Sequence, residues 1–136
     1  MKAAFYDLED WEADLLREKF KGSGIELITQ SGLLDKFRLD FIKDAQIVSV
    51  SFSRVDMDVI NSLPSLKLIS TRTAGFDNID TAYAKEKGIA VVNVPAYGEQ
   101  TVAEYAFALI LTLSRKMSMT FLRSLFGIFD QKMVRG

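Results

Sequence analysis

The sequence predicts an α/β fold: a doubly wound parallel sheet of five strands, followed by a long apolar helix. Three observations carry this reading. Short apolar runs alternate with helical patterns over residues 1 to about 94. Those runs are continuously apolar, the mark of strands covered on both faces. The chain of 136 residues, 49% hydrophobic and 26% charged, has an ordinary globular composition with room for one core.

Each element follows from a local pattern. Residues 2–6 form an apolar run that stops at Asp7, as a buried strand does. Residues 10–21 place Trp11, Leu15, Leu16 and Phe20 at roughly helical spacing, and Gly22, Ser23 and Gly24 end that helix. Residues 25–28 are the second strand. Residues 33–44 are mixed, with Leu34, Phe37 and Phe41 at helical spacing. Residues 45–50 are the third strand, and residues 56–63 a short helix closed by Pro64. Residues 66–70 are the fourth strand. A helix over residues 80–87 ends before Gly88, and residues 89–92 are the fifth strand. The expected strand order is of flavodoxin type.

The last third differs. Thr101, Val102, Ala103 and Glu104 read as a capping box. The run from Tyr105 to Leu113 is apolar on nearly every face, so a helix here needs a covering surface. Glu104, Arg115 and Lys116 bracket it too closely for a membrane span, which needs about 20 apolar residues. Residues 117–136 continue with Phe121, Leu122, Leu125, Phe126, Ile128 and Phe129. The domain reading is therefore residues 1–100 as the sheet domain and residues 101–136 as an interdomain helix and apolar tail.

Composition excludes several chemistries. There is no histidine, so no Ser-His-Asp site and no imidazole ligand. There is no cysteine, so no disulfide frame, thiolate zinc site or thiol nucleophile; this fits a cytoplasmic protein. The net charge of −1 gives no general drive toward nucleic acid. No long apolar run opens the chain, so no signal peptide is expected. Gly22 and Gly24 begin like a dinucleotide fingerprint, but Leu27 stands where the third glycine belongs and the turn follows a helix.

Two segments remain as candidate sites, both at carboxyl ends of parallel strands, where α/β ligand sites lie. Residues 71–80 (TRTAGFDNID) place a small-residue turn after the fourth strand, where main-chain N–H groups suit a carboxylate. The plainer alternative is that Ala74 and Gly75 only make the turn and Asp80 only caps the next helix. Residues 92–104 link the fifth strand to the apolar helix, and Tyr97 there offers a hydroxyl or merely packs on a loop.

Residues 70–80 (STRTAGFDNID), 88–97 (GIAVVNVPAY) and 101–111 (TVAEYAFALIL), in that order, resemble the NAD-dependent D-isomer-specific 2-hydroxyacid dehydrogenases. The pattern is nearest that of the D-lactate dehydrogenase subgroup, which residues 5–11 (FYDLEDW) also resemble. The likeness covers residues 1 to about 116. It implies a flavodoxin-like substrate-binding domain joined by a helix to a Rossmann domain. It implies that the N–H groups of Ala74 and Gly75 bind the carboxylate of a 2-oxo or 2-hydroxy acid, and that Tyr97 lines the pocket. Phe52 or Ser53, after the third strand, falls near another substrate loop. Asp77, Asn78 and Glu104 look like signature positions with structural work. Arg72 is a further candidate for the carboxylate, although the family's substrate arginine lies elsewhere.

The departures shape the expectation. The family's acid–base histidine, its carboxylate partner, its substrate arginine and its glycine fingerprint all belong to the Rossmann domain. Residues 1–136 contain no histidine and no such fingerprint, and residues 117–136 depart from the charged helix expected of the family. The chain is expected to be the substrate-binding part, truncated before the NAD domain and inactive alone, with NAD as cofactor of the complete enzyme only. The expected partners are a small 2-oxo or 2-hydroxy carboxylic acid and a second copy bound through residues 101–136, with no nucleic acid and no membrane. The alternative is a stand-alone, non-catalytic binding or interaction module that docks a partner through its apolar helix.

Overall fold

The structure is a computed structural model and describes residues 1–130. It divides into two units, Met1–Pro95 and Ala96–Gly136. Residues 131–136 of the expected tail lie outside the described residues.

The first unit is a parallel sheet of β1 (Lys2–Phe5), β2 (Glu26–Thr29), β3 (Ile47–Val50), β4 (Leu68–Thr71) and β5 (Ala90–Val92). The order is β2-β1-β3-β4-β5, the expected flavodoxin-type arrangement. Val48 pairs with Ile69, and Ile69 in turn with Val91, so the apolar runs lie in register. The connections are α1 (Asp10–Phe20), a 3-10 helix (Lys36–Ile42), α2 (Met57–Ser62) and α3 (Thr81–Glu86). Each start has a local cause. Glu9 and Glu12 form a capping box at α1, and Asp56 and Asp80 accept the N–H groups of Val59 and Tyr83 at α2 and α3. Gly88 has φ +70, the left-handed turn that returns the chain from α3 into β5.

The core gathers Ala4, Val48, Val50 and Ile69 of the sheet against Ile42, Val59, Ile60 and Leu63. Each fully buried aliphatic side chain contributes about 1.5 to 3 kcal/mol. Two sequence expectations are corrected here. Trp11 and Leu15 are exposed, and the buried residue of α1 is Ala13, with Phe20 set edge-on to Phe5 at 5.8 Å. Between β2 and β3, Phe37 and Phe41 face outward, while Leu34, Leu39 and Ile42 are buried. The turn is 3-10, so residues three apart share a face, and Leu39 and Ile42 satisfy that spacing.

The second unit contains α4 (Glu99–Ser114) and α5 (Met117–Leu125). Lys116, with φ +51, separates them. α4 starts earlier than the capping-box reading places it: Gly98 stands at the N-cap, and Thr101 lies inside the first turn. Glu104 accepts a hydrogen bond from the Gln100 amide at 2.9 Å and does not close a box with Thr101. Neither helix buries a residue. Among the described residues, no helix is long and apolar enough to cross a membrane.

Candidate functional site

Because β1 and β4 both flank β3, the turns that leave these three strands meet at one edge of the sheet. Three polar side chains tie them together. The first is Asp7, just past β1, with φ +58. Its Oδ2 accepts the N–H groups of Ser51, Phe52 and Ser53, each at 2.8 Å. Its Oδ1 accepts the Ser53 hydroxyl at 2.5 Å. Partial burial raises the Asp7 pKa, but the Ser53 hydroxyl and the three N–H donors outweigh it, so the carboxyl lies below its ordinary value.

The second is Arg72. Its guanidinium donates to the carbonyls of Tyr6 and Asp7 at 2.8 and 2.9 Å and to the Ser49 hydroxyl at 3.2 Å. Its Nε lies 3.9 Å from Glu12. The planar fork thus closes the turn after β1 from the β4 side, and those donors face the protein and not a ligand. The third is Asn78, whose amide donates to the carbonyls of Ser51 and Ser53 at 3.4 and 2.8 Å. A parallel bridge between Val55 and Ile79 continues the pairing past β3 and β4 and holds the two loops side by side.

The structure brings Phe52 and Ser53 into one loop but gives them different surroundings. Ser53 is 2% exposed; its hydroxyl donates to Asp7 and accepts the Leu34 N–H at 2.7 Å. Phe52 is 77% exposed at the loop tip. Ala74 and Gly75 lie in the exposed loop after β4, in the same unit. The carbonyls of Thr73, Ala74 and Gly75 are engaged. The Thr73 carbonyl accepts the Val94 N–H, that of Ala74 the Asn93 amide, and that of Gly75 the Thr73 hydroxyl. The N–H groups of Ala74 and Gly75 make no hydrogen bond among the described residues. Residues 74–75 thus present open N–H donors while their own carbonyls are engaged, an arrangement suited to an anion. Gly75 is not required by the turn: its φ is not positive, and an added Cβ would meet only Asp77 Oδ2, at 3.8 Å. Tyr97 lies in the other unit and is 66% exposed.

Sequence reasoning stopped at Asp7 as the end of a strand and missed its carboxylate. The available signal was an acidic residue two positions past β1 in a 2-1-3 order, with Ser51 and Ser53 within three positions of the end of the neighbouring strand. A separate cavity of about 440 Å³ opens beside β1 and β2, lined by Tyr6, Gln30, Leu33, Asp35 and Phe41 among others, and includes none of the expected substrate residues. Among the described residues, no group of acidic side chains could hold a metal ion. A dinucleotide does not fit these residues either: Gly22 and Gly24 follow the carboxyl end of α1 and open no helix after a strand.

The sequence model of the catalytic domain of the D-isomer specific 2-hydroxyacid dehydrogenases matches residues 3–133. A D-lactate dehydrogenase of Staphylococcus aureus is 34% identical over 118 residues, covering 85% of this chain and 36% of that protein. The 2-hydroxyacid dehydrogenase homolog 1 of Schizosaccharomyces pombe is 33% identical over 126 residues, covering 90% and 38%. The crystal structure of a D-lactate dehydrogenase from Aquifex aeolicus, complexed with NAD and lactic acid, superposes with a TM-score of 0.88 at 31% identity, covering 98% of this chain and 40% of that one. This chain therefore spans under two fifths of the length of the two sequence relatives. The family match runs to residue 133, past residue 116, where the likeness read from the sequence ends. The chain belongs to the D-isomer specific 2-hydroxyacid dehydrogenases.

Proposed function

We propose that this chain supplies the substrate-binding part of an NAD-dependent oxidoreductase that interconverts 2-oxo acids and D-2-hydroxy acids, in the manner of a D-lactate dehydrogenase. The observation that carries this is the loop after β4: N–H groups at Ala74 and Gly75 without partners, and carbonyls already engaged. These donors receive the substrate carboxylate. Phe52, exposed at the neighbouring loop tip, forms an apolar wall, and Ser53 holds that loop from beneath. Tyr97 is assigned to substrate on the family resemblance alone. In the complete enzyme NADH would supply the hydride to the 2-oxo acid, and NAD would accept it from the 2-hydroxy acid. Residues 1–136 contain no imidazole to exchange the proton, so by themselves they bind substrate without turning it over. The domain assignment is residues 1–100 for the substrate and residues 101–136 as the interdomain helix and apolar tail, and the proposed location is cytoplasmic.

Titration of the isotope-labelled chain with pyruvate, followed by amide NMR, tests this. Saturable shifts at Ala74 and Gly75 support the reading, and shifts absent there overturn it. NADH oxidation with pyruvate by residues 1–136 would overturn the claim of inactivity. The apolar side chains exposed on α4, including Tyr105, Phe107 and Ile110, also support association with a second copy. Light scattering at micromolar concentration reports a dimer or larger species if so, and a monomer otherwise.

A further inference from the structure

At the carboxyl edge of the sheet, two loops in one unit present consecutive main-chain N–H groups: residues 51–53 after β3 and residues 74–75 after β4. The first is filled by a carboxylate from the chain itself, and the second is open. We propose that Asp7 is a positioning residue that occupies the 51–53 anion nest from within, fixing the loop that bears Phe52 and leaving Ala74 and Gly75 to take the carboxylate of the substrate. The second half of this statement rests on the 2-oxo acid reading above.

The geometry is specific. Three N–H groups and one hydroxyl converge on the two oxygens of a single side chain, the donor set that an external carboxylate would otherwise meet. On the other side of the loop, Asn78 donates to the carbonyls of Ser51 and Ser53, so the loop is held through both its donors and its acceptors. Asp7 reaches the nest because its backbone is left-handed, a conformation that aspartate tolerates better than most residues. Arg72 holds that turn in place through the carbonyls of Tyr6 and Asp7. With the nest filled, a second anion finds no open donors there, and Phe52 is presented at a fixed place.

The full chain carrying Asp7→Gly tests this, because glycine keeps the left-handed backbone while vacating the nest. Formate is the probe. In the variant, formate is expected to move the amide resonances of Ser51, Phe52 and Ser53 saturably and to slow their hydrogen exchange. The wild type is expected to show neither response. Formate leaving these amides unmoved in Asp7→Gly, or moving them as strongly in the wild type, overturns the proposal. Asp7→Asn keeps the side-chain volume and guards against misfolding of the glycine variant. In it the three amides are expected to exchange about tenfold faster or more, and unchanged exchange overturns the proposal. Pyruvate is then added to both chains. Shifts confined to Ala74 and Gly75 in the wild type, and extending to residues 51–53 in Asp7→Gly, support the directing role. If pyruvate leaves Ala74 and Gly75 unmoved in the wild type while the formate response holds, the functional reading and the directing role fall together. The occupation of the nest by Asp7 is decided by formate alone.

Discussion

The two units contain similarly apolar stretches and treat them in opposite ways. In the first, the runs at β1, β3 and β4 bury Ala4, Val48, Val50 and Ile69 against helices of the same unit. In the second, α4 carries Val102, Tyr105, Phe107, Ile110 and Leu113, and none of its residues is buried. Apolar composition states a demand for cover, and a parallel sheet meets it within its own fold, whereas a pair of helices has too little facing surface to do so. The proposed functions divide along the same line: main-chain donors for the substrate are assigned to the first unit, and association with a second copy to the second.

The largest effect that tests this contrast comes from paired truncations. Ile69→Ala, at a fully buried position, is expected to destabilise by about 2 to 5 kcal/mol in urea unfolding. Leu113→Ala, at an exposed one, is expected to change stability by under about 0.5 kcal/mol. Equal losses at the two positions would break the contrast.

Next is the carboxylate of Asp7. Asp7→Asn removes charge-assisted hydrogen bonds and is expected to cost about 1.5 to 3 kcal/mol at neutral pH. The pH dependence has a definite sign. The folded pKa lies below the ordinary value of 3.8, so the contribution is present in full above that value. It decreases as the pH falls below 3.8 and is gone once the pH is below the folded value. Arg72, with Glu12 beside it, is the charged group at this turn, and it meets Asp7 through the carbonyl and not the carboxylate. Stability measured against pH is therefore expected to show a shallower acid limb in Asp7→Asn than in the wild type.

Arg72→Lys is expected to cost about 1 to 2 kcal/mol. A single ammonium cannot reach the carbonyls of Tyr6 and Asp7 and the Ser49 hydroxyl together. A variant as stable as the wild type in thermal unfolding would show that the fork is dispensable. The smallest expected effect on stability is at Gly75. An alanine there meets only an ordinary contact, so Gly75→Ala is expected to leave Tm within about 1 °C of the wild type. The same change places a methyl group beside the open N–H groups and is expected to weaken the pyruvate response. A large drop in Tm would return Gly75 to a purely structural role.

How far the sequence could be read depends on the range of the signal. Strand runs, helix ends and the parallel order are local patterns repeated along the chain, and the expected strands match those observed with ends displaced by one or two residues. The 74–75 loop was legible because small residues after a strand are a local sign. Helix faces were less so: Phe37, Phe41, Trp11 and Leu15 are apolar yet exposed, because spacing names a stripe without naming what lies opposite it.

By itself, the sequence determined the α/β class, the five strands, the family pattern of residues 70–111 and the absence of histidine and cysteine chemistry. Only the tertiary structure decided that Asp7 fills the 51–53 nest, that Ser53 is buried beneath Phe52, that Arg72 faces carbonyls, and that Ala74 and Gly75 keep their donors open. The reason is distance along the chain. The bonds from Asp7 join residues 44 to 46 positions apart, and those of Arg72 to Tyr6 and Asp7 span 66 and 65. Such pairs share no local periodicity. They become neighbours only when strand order sets β1 beside β3 and β3 beside β4.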